Sequence, residues 1–453
     1  MNNSNGFKMT EIGQLPEDWE VRRLGDMANQ RKESITPVGD GKTKYVGLEH
    51  IDSGHSRLQR YGFDNEVKST KFKFFKDDIL YGKLRPYLDK CILSDLEGVC
   101  STDIIVIKTS NQIDCKYLVN IMHIKSFANY ATSTMTGVNH PRTSWKALSA
   151  YKIPLPQLPE QQKIASALSI IQEAKEKTEN IIKATKELKK SMMKHLFTYG
   201  PVPVKSPLSR GDLGVCHEEG KVTHPLPLLL EGRQPKLKET EIGMIPEHWG
   251  MVRLGEIAEF KNGINFSSNQ KGVEGILTLD VLNMYTENIY AKLNNLYRVR
   301  IDLKNKSDYL LKEGDVLFVR SSLKREGVGW ASLFKSYKEP VTFCGFIIRC
   351  RLKDASKIEH RFLISFLRSE AARKELLAGS EQVAITNINQ GLLNRLTLPF
   401  PPYNEQVQIA ETLRAIDKKI ESEQNKKQAL DALFKTLLSL LMTGKIRVKD
   451  LEV

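Results

Sequence analysis

The chain repeats itself. Residues 240–258, TEIGMIPEHWGMVRLGEIA, match residues 10–28, TEIGQLPEDWEVRRLGDMA, at eleven of nineteen positions with a constant offset of 230. A second pair of blocks follows at an offset of 245: IPLPQLPEQQKIASALSII (153–171) against LPFPPYNEQVQIAETLRAI (398–416). At that same offset KYLVNIMHIKSFANYA (116–131) matches RFLISFLRSEAARKEL (361–376), and both read as amphipathic helices. FFKDDILYGKLR (74–85) resembles LLKEGDVLFVRS (310–321), an acidic turn running into a strand, and DIIVIK (103–108) and FIIRCRL (346–352) are further strand candidates. Four blocks in one order make the chain two copies of a single unit, with matched ends and divergent middles.

Each copy has two parts. The first mixes short strands and helices punctuated by Gly and Pro, and is expected to be a compact α/β or α+β domain. The second follows a Pro-rich stop, PLPQLPEQ or PFPPYNEQ, and carries apolar residues at alternating steps of four and three. In the second copy these are Ile409, Leu413, Ile416, Ile420, Glu423, Lys427, Leu430, Phe434, Leu437 and Leu441. The first copy reads Ile164, Leu168, Ile171, Lys175, Thr178, Ile182, Thr185, Lys189, Met192 and Leu196. Both predict long helices of about 50 Å that need a partner, and the obvious partner for each is the other. The polar steps Lys175, Thr178, Glu423 and Lys427 are expected to fix register at some cost in stability. The predicted divisions are 1–157 and 240–402 for the mixed domains and 158–200 and 403–453 for the helical regions. Residues 201–239, with six of the eighteen prolines and neither period, read as an extended linker in which the apolar run 226–230 has no assigned contact.

The chain has 453 residues, enough for two or three domains. With 40% hydrophobic and 27% charged residues a full core is available, and no run of eighteen apolar residues is present. The first residues, MNNSNGFKMTEIG, lack the apolar core of a signal peptide, and the expected location is the cytoplasm. Six scattered cysteines without CxxC or zinc spacing read as reduced thiols. The net charge of +14 points to a polyanionic partner such as DNA or RNA.

TEIG–x–x–PE–x–W (10–19 and 240–249), RLG (23–25 and 253–255) and the PLP…EQ–x–x–I–A helix entries carry a resemblance. DILYGKLRPY (78–87) and LLMTGKIRV (440–448) add to it, and the chain resembles the specificity subunit of type I restriction–modification enzymes over both copies. The resemblance implies two target recognition domains, each reading one half of a split, asymmetric sequence in double-stranded DNA. It further implies an antiparallel coiled coil of the two helical segments, serving as spacer and as the dock for two methyltransferase subunits, with two restriction/translocase subunits completing the complex. In such a complex the specificity subunit has no catalysis of its own, and S-adenosylmethionine, ATP and Mg²⁺ belong to the partners. The first helix closes with HLFTYGPV (195–202) where the second has LLMTGKIR, and the linker is longer than usual; both bear on the junction.

No catalytic motif is complete. GDGKTKYV (39–46) ends like a phosphate loop, but the leading glycine would be residue 36, which is Thr36. FPPY (400–403) has Phe400 where an amino-methyltransferase needs an oxygen to accept from the flipped base's amine, so the prolines read as a helix stop with Asn404 as a candidate N-cap. Glu–x–Lys at 173–175 and 187–189 lies on the first long helix with no upstream acidic partner, and nine dispersed histidines show no ligand spacing. No catalytic residue and no metal site is predicted. The alternatives are a self-contained nuclease or methyltransferase with duplicated DNA-binding domains, or a coiled-coil scaffold for protein alone.

DNA reading needs Arg, Lys, Asn, Gln and Ser near strand ends and loops. Four loops qualify. Residues 81–87 offer Lys83, Arg85 and Tyr87, and 136–145 offer Asn139, His140, Arg142 and Ser144. Residues 319–327 offer Arg320, Ser321, Ser322, Lys324 and Arg325, and 383–391 offer Asn387, Asn389 and Gln390. The loops occupy matching places in the two copies. Trp19 and Trp249 are expected to be packing anchors rather than DNA contacts.

Overall fold

The computed structural model describes residues 6–201, 235–301, 307–382 and 386–448, so most of the expected linker, including 226–230 and Cys216, lies outside the described residues. The chain forms two compact units. One comprises Met1–Asn180 with Gln424–Val453, and the other Ile181–Glu423. Each unit thus takes half of each long helix, Leu158–Tyr199 and Tyr403–Met442.

The first unit contains an antiparallel sheet in the order Cys91–Leu93, Ile79–Gly82, Ile104–Thr109, Ala28–Arg31. Beside it a five-stranded sheet pairs Gly98–Cys100 parallel to Lys44–Val46. The second unit repeats both features, with Ala331–Leu333, Val316–Val319, Ile347–Leu352 and Ala258–Asn262 in one sheet. Its other sheet pairs Ile276–Leu279 parallel to Val341–Phe343. Antiparallel pairing prevails, so the α+β side of the expectation is the one met.

Why the central strands are apolar throughout follows from their position. Ile79 and Tyr81 enter one core cluster while Leu80 enters another, and Val316 and Phe318 separate in the same way from Leu317 and Val319. Alternate side chains of a strand point to opposite faces, and here both faces are covered.

The doubled Trp segment pairs with the strand before each Pro stop. Glu20–Arg23 lies antiparallel to Lys152–Leu155, and Gly250–Arg253 to Thr397–Phe400. Trp19 and Trp249 are fully buried. Each indole N–H donates to the glutamate of the following helix entry, Trp19 to Glu160 at 3.1 Å and Trp249 to Glu405 at 2.8 Å. The neighbouring glutamines are buried bridges: Gln161 donates to Pro156 O and accepts from Asp114 N, as Gln406 does with Pro401 O and Glu359 N. The first strand pair of the second unit begins at Leu237, inside the stretch read as linker, because 237–240 ladder with Gly243–Pro246.

The two helices run antiparallel within each unit. In the first unit Lys175 pairs with Asp431 at 2.7 Å and Glu179 with Lys427 at 2.9 Å, four residues onward along one helix and four back along the other. In the second unit Lys189 pairs with Asp417 at 2.6 Å. All twenty stepped positions are buried or half-buried, and three of the four polar interruptions, Lys175, Thr178 and Glu423, are buried. The dissimilar helix closings turn out equivalent. Gly444 (φ +65°) ends the second helix against Pro16 and Trp19 of the first unit, and Gly200 (φ +79°) ends the first helix against Pro246 and Trp249 of the second. A left-handed glycine after the last turn is the usual helix stop, and the missing side chain also lets the indole come close.

Candidate nucleic-acid interface

The four candidate loops meet in pairs, one pair in each unit. In the first, strand Ile79–Gly82 delivers Lys83, whose N–H donates to Asp103 O at 2.9 Å and whose carbonyl accepts from Thr143 N at 3.0 Å. Arg85 N donates to Pro141 O at 2.9 Å, and Thr136 and Arg142 exchange backbone hydrogen bonds at 2.9 and 3.0 Å to close a hairpin. In the second unit strand Val316–Val319 delivers Arg320, whose N–H donates to Phe346 O at 2.8 Å and whose carbonyl accepts from Ile388 N at 2.9 Å. Ser321 and Ser322 then ladder with Asn387 and Thr386. Lys83 and Arg320 therefore hold the same place in two copies of one hydrogen-bond frame.

Arg85, Tyr87, Asn139 and His140 are exposed, and Lys83 is half-buried. Arg85 is held in the left-handed region (φ +50°) immediately before Pro86, a conformation unfavourable for a non-glycine residue. The backbone bonds from the hairpin hold it there. Arg142 has a different task. Its guanidinium grips Asp103 through Nε (2.7 Å) and Nη2 (3.2 Å) while Nη1 donates to His140 O at 3.1 Å. That guanidinium holds the Asp103 carboxyl below its ordinary range. Ser144 caps the short helix Trp145–Leu148, accepting from Ala147 N at 3.2 Å.

The second unit divides its residues similarly. Asn389 caps Gln390–Arg395, accepting from Leu392 N at 2.8 Å, at the position equivalent to Ser144. Ser321 Oγ donates to Asn387 Oδ1, and Ser322 Oγ accepts from Lys324 N (3.2 Å) and Tyr285 OH (3.3 Å). Arg320 donates to Gly345 O at 3.3 Å, and Arg325 to Leu377 O at 3.4 Å. Lys324 and Arg325 are exposed and Gln390 is half-buried.

Sequence reasoning missed the strut Asp103, thirty-nine residues from Arg142, because nothing in the local pattern joins the two. It also missed the exposed apolar side chains at these tips, Leu88 and Val138 in the first unit and Tyr285, Leu323 and Phe346 in the second. Two cationic side chains of the second unit are absorbed internally: Arg368 and Arg373 lie over the Trp330 ring at 4.6 and 5.8 Å and donate to backbone carbonyls. Among the described residues no cluster of His, Cys, Asp or Glu could hold a metal ion, and no helix is long and apolar enough to cross a membrane. The five described cysteines are free, and burial pushes the Cys100 and Cys344 thiols up to about 12.

The family model for the type I restriction modification DNA specificity domain matches twice, over residues 16–187 and 246–432. The chain belongs to this family. It is a specificity subunit of the type I restriction–modification class, built from two such domains. It is 28% identical to the type I restriction enzyme MjaVIII specificity subunit of Methanocaldococcus jannaschii, covering 98% of this chain and 97% of the relative. It is 22% identical to the StySPI specificity subunit of Salmonella potsdam, over 96% and 90% of the two chains. The fold is like that of the type I restriction–modification S subunit from M. genitalium, with a TM-score of 0.55 at 15% identity over 97% and 98% of the chains. Both family matches begin at the Trp-containing segment and run into the long helices, the parts that repeat.

Proposed function

We propose that this specificity subunit binds a bipartite, asymmetric site in double-stranded DNA, one half read by each unit, and performs no chemistry itself. The reading residues are taken from Lys83, Arg85, Tyr87, Asn139 and His140 in the first unit and Arg320, Ser322, Lys324, Arg325 and Gln390 in the second. Arg142, Ser144, Ser321, Asn387 and Asn389 act chiefly by fixing those loops. The carrying observation is that equivalent backbone frames at Lys83 and Arg320 present unlike tips, KLRPY in one and RSSLKR in the other. Equal frames with unequal tips are what two different half-sites require.

The paired helices are proposed to set the spacing between half-sites, about one turn of DNA or ~34 Å, and to dock two methyltransferase subunits. Two restriction/translocase subunits are proposed to join them. S-adenosylmethionine, ATP and Mg²⁺ are assigned to these partners and the cytoplasm to the assembly. Methylome sequencing of a host carrying the chain tests the reading, and a split motif with different halves is expected. Exchanging residues 10–150 for those of a relative should alter one half only; loss of both halves would sink the independence of the units. Shortening both helices by one heptad should change the spacer alone. Methyl transfer or cleavage by the purified chain without partners would overturn the non-catalytic assignment.

A further inference from the structure

Each unit exposes an aliphatic side chain almost completely within its candidate loops. Val138 is 96% exposed and Leu323 is 87% exposed. Neither sits in a loose loop. Val138 lies inside the hairpin closed by the reciprocal Thr136–Arg142 bonds and braced by the Arg142–Asp103 pair. Leu323 follows the Ser321–Ser322 ladder and precedes Lys324, whose N–H is fastened to Ser322 Oγ at 3.2 Å. Isolated exposed aliphatics are ordinary on a protein surface. Here one lies inside a braced hairpin and the other directly after a braced strand, each accompanied by cations: Lys83 and Arg85 in the first unit, Lys324 and Arg325 in the second.

The major groove of B-DNA admits narrow β elements, and the basic flanks of both tips suit its phosphate walls. The apolar feature exposed on base edges in that groove is the 5-methyl group of thymine. We propose that Val138 and Leu323 are apolar readers, each set against a thymine methyl in the half-site of its own unit; this rests on the reading of the two tips as DNA-facing. The flanking cations then hold phosphates, which position without specifying, while the aliphatic side chain selects thymine over cytosine and over uracil, which lacks the methyl group. A braced backbone suits this task because a small side chain reaches a single methyl group only if its backbone is already placed.

The test begins with the mapped target of the wild-type chain assembled with its modification partners. Synthetic duplexes carry that target with each thymine in turn replaced by uracil, which removes only the methyl group. One thymine per half-site is expected to lose about fourfold in affinity on replacement, the worth of one methylene-sized apolar group. In Leu323→Ser the thymine-to-uracil ratio of the second unit's half-site should fall to one while the other half-site keeps its ratio. Val138→Ser should do the converse. A half-site in which no uracil matters, or a variant that keeps its ratio, overturns the assignment for that tip. A variant that keeps its ratio but sheds a partner subunit shows that the tip docks protein, which also overturns it. If the mapped target is not split, the underlying two-reader function fails before any uracil is introduced, so the two failures are told apart.

Discussion

The two units share their frame and differ in how they fasten what they present. In both, a buried tryptophan donates to a helix-entry glutamate and a left-handed glycine closes on the ring. The last partner of that glutamate differs. Arg447 bridges Glu160 and Asp18 in the first unit, whereas His248 meets Glu405 at 2.8 Å in the second. The acidic turns compare likewise. Asp78 and Asp315 each accept from a backbone N–H three residues earlier and hold an arginine bidentately, but Arg31 comes from the edge strand and Arg351 from the central one. At the tips the fastening changes character: an ion pair, Arg142–Asp103, braces the hairpin of the first unit, and a neutral Ser321–Asn387 contact joins two strands in the second. A requirement to satisfy a buried or strained group persists between the copies, and the side chain that satisfies it does not.

The largest test of this likeness is removal of the ring. Trp19→Ala and Trp249→Ala should each destabilise their own unit by about 3–5 kcal/mol, the cost of emptying a fully buried aromatic site. Chemical unfolding followed separately in each unit would show the comparison broken if one loss were below about 1 kcal/mol. Next is the helix seam. Asp431→Ala takes its ion-pair partner from the buried Lys175 ammonium, which keeps the Phe434 ring 5.0 Å away, and should cost roughly 1–2 kcal/mol after discount for Asp431's exposure. Lys175→Met, which removes the charge and keeps the volume, should be neutral or stabilising in the same melts.

Smaller again are the caps. Ser144→Ala and Asn389→Ala should each cost about 1 kcal/mol and leave the methylated motif unchanged. An altered half-site in either variant would restore these residues to the reading set. The smallest effect is pH-dependent and separates the units. Asp103's carboxyl is lowered in the folded state, so its contribution is present above its unfolded value, near 4, and is lost as pH falls through the folded value. Amide exchange protection at Thr136 and Arg142 should therefore hold down to about pH 4 and weaken below it. The Ser321–Asn387 brace has no titrating group and should show no such step. Equal acid sensitivity at the two tips would contradict the difference in fastening.

Much of this was legible in the chain. The duplication, the helix entries and the steps of four and three needed only spacing, because a helix stripe and a repeated frame are properties of sequence distance. Even the polar interruptions fell on the seam, where Lys175 and Lys427 found acidic partners. The four loops chosen from the sequence meet in pairs, since in each unit one follows the strand that the acidic turn announces and the other precedes the Pro stop.

Within the groups the sequence could not divide labour. Ser144, Asn389 and Arg142 have the composition of base readers, yet two close helix ends and the third grips an aspartate thirty-nine residues away. Exposure has no local signature in a loop, so no sequence pattern singles out Val138 and Leu323. By itself the sequence determined that there are two copies of one frame, where their helices begin and which segments differ, since these follow from periodicity and order. Only the tertiary structure decided which polar groups are consumed in holding the tips and which side chains stay exposed there. The physical reason is that a donor's partner is fixed by distance in space, and residues far apart in the chain supply it.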